Sequence, residues 1–131
     1  MISTKGRYAL RVMIDLAQND NGNYIPLKDI AERQEISKKY LEIIVKKMVE
    51  GGLIKGSSGK GGGYKLVRKP SRYSVGEILT LMEGTVSSVA CLADKNYDCP
   101  HKKKCETLPM WKEFDAIVHN YLYDKKLSDL L

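Results

Sequence analysis

Between residues 27 and 67 the hydrophobic period of the chain changes from helical to alternating, and nothing else in the sequence constrains the fold as tightly. A short segment, Leu27–Gln34, carries Ile30 and Ala31 at helical spacing. Ile36-Ser37 then opens a longer segment that runs to about Glu50 and stops at Gly51-Gly52. Ser37 suits an N-cap, because its hydroxyl accepts a hydrogen bond from a backbone N–H that has no partner inside the helix. Paired glycines end the segment. A short helix, a tight linker and a longer helix make a helix-turn-helix pattern. Leu53-Ile54-Lys55 and Tyr64-Lys65-Leu66-Val67 then read as strands flanking Gly56-Ser57-Ser58-Gly59-Lys60-Gly61-Gly62-Gly63, which is a hairpin with a glycine-rich tip. Helix-turn-helix plus hairpin is a winged helix. The Gly59-Lys60 pair does not make a nucleotide-binding P-loop. That motif needs glycine where Ile54 stands, Ser or Thr where Gly61 stands, and a helix next, whereas a strand follows here.

The flanking segments extend this plan. Tyr8, Val12 and Leu16, with Ala9, Met13 and Ala17 one position on, predict a helix from about Ser3 to Gln18, started by Ser3 or Thr4. Ser74-Val75-Gly76-Glu77 is a capping box, and Ile78, Leu79, Leu81 and Met82 continue its helix. Residues 85–104 read as a loop. Trp111, Phe114, Ile117, Val118, Tyr121 and Leu122 draw an apolar stripe along a helix over residues 109–125. The expected fold is mainly α with a small β-hairpin wing: a winged helix-turn-helix plus a long C-terminal dimerisation helix. Residues 1–83 form the DNA-binding domain, 84–108 a cysteine-containing sensor loop, and 109–131 the dimerisation helix and C-terminal tail. A stripe of this length needs a surface to cover it. Packing back on the first helix is one solution. A second copy of the chain is the favoured one, because DNA-binding winged domains commonly pair across two half-sites.

Charge points to the partner. The 131 residues carry 22 lysines and arginines against 16 acids, a net of +6. The excess is local: 15 basic and 7 acidic side chains precede Tyr73, and 7 basic and 9 acidic follow it. A basic lobe on a neutral remainder is the electrostatic pattern of a polyanion-binding module. At 100° per residue the longer helix gathers Leu41, Ile44, Val45, Met48 and Val49 on one face and Lys39, Ile43, Lys46, Lys47 and Glu50 on the other. Ser37, Lys38, Lys39 and Tyr40 lie where such helices meet base edges, and Lys46 lies deeper, at phosphate. Ile43 is either a stray exposed residue or a contact to a thymine methyl. Lys28, Glu42, Ser58, Lys60 and Tyr64 complete the set expected to touch double-stranded DNA. No apolar run approaches the roughly 18 residues of a membrane span. The first residues have no apolar signal core, so a cytoplasmic location without a membrane partner is expected. An enzyme is not: the histidines are His101 and His119, and no nucleophile–base pair stands at close spacing.

The cysteines, Cys91, Cys99 and Cys105, fall within fifteen residues of one another. An odd number in a chain without a signal argues against a disulfide framework, and their clustering points to a metal site, an iron–sulfur cluster or a redox switch. Thiolates are the usual ligands of iron–sulfur clusters. Lys102-Lys103-Lys104 would lower the pKa of the adjoining Cys105. Zinc, with His101 as fourth ligand, and a cluster-free thiol switch are the alternatives.

Ser3-Thr4-Lys5-Gly6-Arg7-Tyr8-Ala9, Asp29-Ile30-Ala31-Glu32-Arg33, Tyr40-Leu41-Glu42, Gly52-Leu53-Ile54, Gly61-Gly62-Gly63-Tyr64 and Val75-Gly76-Glu77-Ile78 resemble, in order and over essentially the whole chain, the bacterial regulator family of IscR, NsrR, RirA and CymR. The resemblance implies a homodimeric winged-helix transcription regulator, and its cysteines resemble the iron–sulfur branch. That branch implies a 2Fe–2S or 4Fe–4S cluster on Cys91, Cys99 and Cys105, sensing iron, nitric oxide or redox state. The spacing of seven and then five intervening residues is closest to RirA-type members. Leu108 stands where IscR-like members carry a ligating histidine, and Arg7 or Tyr8 where NsrR-like members can use an acid. The fourth ligand is therefore open. Ser58 stands where IscR places an arginine in the minor groove, with Lys60 as a partial substitute.

Overall fold

A computed structural model describes residues 2–93, 100 and 103–131. Helix α1 (Thr4–Gln18) is capped by Ser3, whose Oγ accepts from the Gly6 amide, and it buries Ala9, Val12, Met13 and Leu16. Asp15 is also on that face, 1% exposed, and accepts from Arg33 Nη2 at 2.8 Å, Arg33 Nε at 3.0 Å and Gln34 Nε2 at 3.0 Å. These bonds dock helix α2 (Leu27–Gln34) on α1. Glu35, at φ 55°, takes the left-handed conformation that ends α2 and turns the chain. Ser37 then caps helix α3 (Lys38–Glu50), accepting from the Tyr40 amide at 3.2 Å.

The wing is an antiparallel pair, β1 (Ile54–Ser57) and β2 (Gly63–Leu66), in the register Ile54↔Leu66 to Ser57↔Gly63. The strands start one residue later (β1) and earlier (β2) than the alternation predicted. Ile25 adds a single bridge to the outer side of β2, exchanging both backbone bonds with Tyr64 at 2.9 Å. Gly63 makes this approach possible: its φ is 147°, and a Cβ there would stand 2.1 Å from the Ile25 carbonyl oxygen.

Tyr73 is fully buried and fixes the roots of the wing. Its hydroxyl donates to the Leu53 carbonyl at 2.7 Å and accepts from the Val67 and Arg68 amides at 3.0 and 3.1 Å. Helix α4 (Val75–Glu83) follows, with the expected Ser74–Glu77 capping box formed on both sides. Glu77 also pairs with Arg68 at 2.8 Å. Burial raises the carboxyl's pKa, but the bonds from Arg68 and from the Ser74 backbone outweigh it, and the net shift is downward.

Residues 85–104 are not wholly loop. Helix α5 (Ala90–Ala93) lies within them and carries Cys91. It is too short to display a period in sequence, and the hydroxyls before it stabilise its approach: Thr85 Oγ1 accepts from the Ser87 amide at 3.2 Å, and Ser87 Oγ donates to the Leu92 carbonyl at 3.4 Å. Helix α6 (Leu108–Asp124) leans on α4, where Thr80 Oγ1 and Tyr123 Oη are 2.9 Å apart. Gly76 permits this packing, since a Cβ there would meet the Tyr123 ring at 2.3 Å. The chain then returns to the winged core. The Val75 amide donates to the Lys125 carbonyl at 2.8 Å, the Leu127 amide to the Tyr73 carbonyl at 3.0 Å, and Leu127 is fully buried.

Tyr73→Phe should test the wing anchor. It keeps the ring and removes one donor and one acceptor, leaving the Leu53 carbonyl without its partner. We expect a loss of about 1–3 kcal/mol, read as a lower urea midpoint at unchanged slope; an unchanged midpoint would show that the hydroxyl does not hold the wing.

Candidate nucleic-acid interface and cysteine segment

The inner face of α3, Leu41, Ile44, Val45 and Met48, is fully buried, so the opposite face must point outward. Lys38, Lys39, Glu42 and Lys46 are exposed there, and Ile43 is 56% exposed in their midst. Two residues depart from the predicted faces. Val49, placed with the buried set, is exposed at the helix end. Lys47, placed outside, is half-buried, with Nζ 3.4 Å from the Met82 carbonyl that accepts from it.

Tyr40 is not a free reader of bases along its whole length. Its ring meets Tyr8 edge-on at 5.7 Å, and the Arg11 guanidinium lies over the other tyrosine at 5.3 Å. Tyr40 therefore braces the start of α3 against α1 as well as bordering the exposed surface.

The groove between α3 and the wing brings Lys46, Ser58 and Tyr64 together around a cavity of about 660 Å³. Val49, Glu50 and Ser57 line it too, and the sequence reading missed them as groove residues. The signal was available: Lys46, Val49 and Glu50 share one side of α3 at helical spacing. Lys60 is exposed at the wing tip, where Gly59 and Gly61 adopt φ 83° and 77°. Lys28 is exposed on α2, apart from this groove. Lys65 is engaged elsewhere, its ammonium 4.7 Å from the centre of the Tyr24 ring.

Of the cysteines, Cys91 on α5 and Cys105 just before α6 are half-buried free thiols. Cys99 and His101 lie outside the described residues, as does Lys102. The Cys105 pKa is lowered, first by the Thr107 hydroxyl 3.4 Å from Sγ and then by the backbone N–H groups of Thr107 and Leu108. Among the described residues the lysines are not a cause, which corrects the expected source of the shift. Among those residues, too, no three His, Cys, Asp or Glu side chains gather closely enough to hold a metal ion.

On α6 the apolar stripe divides. Trp111, Val118 and Leu122 are half-buried, whereas Phe114, Ile117 and Tyr121 are 41%, 61% and 62% exposed. The first two aromatics meet edge-on at 6.2 Å. No described helix is long and apolar enough to cross a membrane.

A capped helix with an outward cationic face, set beside a glycine-tipped hairpin on a basic lobe, defines a winged-helix DNA-binding regulator. Comparison with known proteins gives the family. The Rrf2 family, described as iron-dependent transcriptional regulators, matches residues 2–131, and the chain belongs to it. It is 33% identical over 130 residues to the HTH-type transcriptional regulator IscR of Vibrio atlanticus, covering 99% of this chain and 74% of that one. The IscR of Escherichia coli O1:K1 is likewise 33% identical, with 79% of its length covered. Among solved structures, CymR of B. subtilis, the global cysteine regulator, superposes with a TM-score of 0.79 at 35% identity, covering 99% of this chain and 95% of that one. T. potens IscR does so at 0.75 and 32%, covering 99% and 85%.

Two substitutions separate phosphate contact from base reading. Lys46→Ala should weaken binding to all DNA sequences alike and lower the salt slope by about one. Lys39→Ala should alter sequence preference. Fluorescence anisotropy over a salt series checks both; unchanged affinity in both variants would remove this surface from the interface.

Proposed function

We propose that the protein is a homodimeric transcription regulator whose operator affinity is set by an iron–sulfur cluster held by Cys91, Cys99 and Cys105. The observation that carries the reading is the placement of the two described thiols. Cys91 sits on α5, Ser88 just before α5 is bonded to Asp115 of α6, and Cys105 lies three residues before Leu108, the first residue of α6. A group bound to both would join the start of α6 to the segment after α4. The donors fit such a group: thiolates are the ligands iron–sulfur clusters take, and the hydroxyl and amides around Cys105 favour its thiolate. When bound, the cluster supplies redox- and ligand-sensitive chemistry. The protein's part is to present the sulfurs, with Thr107 supporting one and Ser88 fixing the segment that carries another.

The DNA side of the reading rests on α3, the wing and their groove: Ser37, Lys38, Lys39, Tyr40, Glu42, Ile43, Lys46, Ser58, Lys60 and Tyr64, with Lys28 at the flank. The dimer side rests on α6. Apart from its contact with α4, this helix leaves Phe114, Ile117 and Tyr121 on an exposed apolar face, which the equivalent face of a second copy would cover.

Anaerobic reconstitution with iron and sulfide tests the sensor. We expect bound iron and sulfide, a visible charge-transfer spectrum, and an operator affinity that differs from that of the Cys91→Ala or Cys105→Ala protein by about 5–150-fold. A colourless protein whose DNA affinity follows thiol oxidation instead would favour a second reading, a thiol switch. The lowered Cys105 pKa and the likeness to CymR, whose Staphylococcus aureus form is 35% identical and is known in an oxidised state, support that alternative.

Phe114→Asp tests the dimer. A charge placed in an apolar seam without a partner is strongly unfavourable, so sedimentation should show monomer. A mutant that stays dimeric would place the seam elsewhere.

A further inference from the structure

Helix α6 borders a second cavity. Phe114, Ile117 and Tyr121 are exposed on one side of the helix, while half-buried Asp115 and Tyr123 and exposed Lys112 and His119 line the cavity, which α4, residues 84–87 and Leu92 complete. These four recur at spacings of three, four and four, so they form one stripe of the helix. The cavity is about 720 Å³, within the range of about 300–1,000 Å³ common for small-molecule sites.

Asp115 is the unusual member. Its Oδ1 accepts from the Ser88 amide at 3.0 Å and from Ser88 Oγ at 2.7 Å. Its Oδ2 is shut off from solvent and has no donor among the described residues. A carboxylate oxygen removed from water without a donor is unfavourable, and a ligand N–H relieves that penalty. Lys112, one turn earlier, does not supply it. The ion pairs among the described residues join Arg33 to Asp15 and Arg68 to Glu77. Beneath the groove surface therefore lies an unmatched carboxylate oxygen, with an ammonium not paired to it on the neighbouring turn of the same helix. Side chains three apart stand about 5–6 Å from each other at Cβ, a separation that a compact molecule carrying both charges can bridge. Beyond them, His119 stacks on Tyr123 with centroids 4.4 Å apart and planes 22° from parallel, and Val86 and Leu92 add apolar surface.

We propose that this groove binds a small zwitterion of the α-amino-acid kind. Its ammonium displaces the packing over Asp115 Oδ2 and fills that atom's unmet acceptor capacity, Lys112 takes its carboxylate, and the His119–Tyr123 stack and Leu92 meet its side chain. The site is separate from the DNA-contacting surface, and the proposal does not depend on a cluster being bound.

The test titrates the full-length protein with the proteinogenic L-amino acids one at a time. Thermal unfolding and amide chemical shifts report binding. At least one amino acid should raise the melting temperature and perturb the amides of Ser88, Leu92 and His119. Its decarboxylated amine should bind about tenfold more weakly, and Asp115→Asn should weaken the amino acid by about tenfold or more. Ala116→Phe fills the groove without altering a charge and should abolish binding. It keeps the test decisive if loss of the Ser88 acceptor unfolds the Asp115 variant. The proposal is overturned if no amino acid binds, if binding survives Ala116→Phe, or if the perturbed amides map to another surface.

Discussion

The carboxylate of Asp15 is the interaction around which the winged-helix part of the chain is organised. It is charged, 1% exposed, and surrounded by helix. A carboxylate in that position is tolerable only when its oxygens are fully engaged, and three donors from the end of α2 meet that demand. Gln34 in turn accepts from Arg11 Nε at 3.1 Å, with its backbone carbonyl accepting from the same guanidinium. The Arg33 pKa is raised, first by its bond to Asp15. Pairs of this kind add little net stability compared with apolar packing, but they are intolerant of misplacement. Here that intolerance sets how α2 lies on α1, hence where Glu35 turns the chain and where α3 points.

From that anchor the wing is positioned by different means. The hydroxyl of Tyr73 joins the residue before β1 to the residues after β2, so the two strand roots move together. Gly63 brings β2 against Ile25, which connects the wing to the segment leading into α2. The Leu53 amide also donates to the Met48 carbonyl at 3.0 Å, which ties the root of the wing to the C-terminal turn of α3.

The parts of this plan that were legible in sequence are those governed by local rules. Ser37, Gly51-Gly52 and the Ser74–Glu77 box mark helix ends because capping involves residues within one turn of each other, and the 3.6-residue period marks the buried side of α3. Tyr73 and Leu127, both fully buried, were not legible as core. They sit in Lys69-Pro70-Ser71-Arg72 and Lys125-Lys126 surroundings, where no period exists and only the long-range return of the chain makes them interior. Helix α5 was hidden because four residues do not complete a repeat. The stripe from Lys112 to Tyr123 was overlooked for the opposite reason. The apolar stripe of α6 is so clear that its other side reads as solvent-facing; Lys112 and His119 are exposed as that reading has it, while Asp115 and Tyr123 are half-buried because Tyr123 docks beside Gly76 and Asp115 accepts from Ser88. Across the α3–wing groove, residues distant in sequence meet, so Lys46, Ser58 and Tyr64 were legible one by one while their proximity was not.

The manner in which α6 is fixed has a mechanical consequence. Just beyond its C-terminal end it is clamped by the Val75–Lys125 and Leu127–Tyr73 backbone bonds and by the burial of Leu127. Its N-terminal end adjoins Cys105. At 1.5 Å per residue the 17-residue helix is about 25 Å long, with its C-terminal end fixed in the winged-helix core and a second tie at its middle, where Asp115 accepts from Ser88. A tilt of about 5° at the clamp displaces the far end by about 2 Å over that length. Conversely, were the helix to pivot there as a rigid rod, a shift of about 2 Å beside Cys105 would correspond to a rotation of about 5° next to Tyr73, whose hydroxyl holds both roots of the wing.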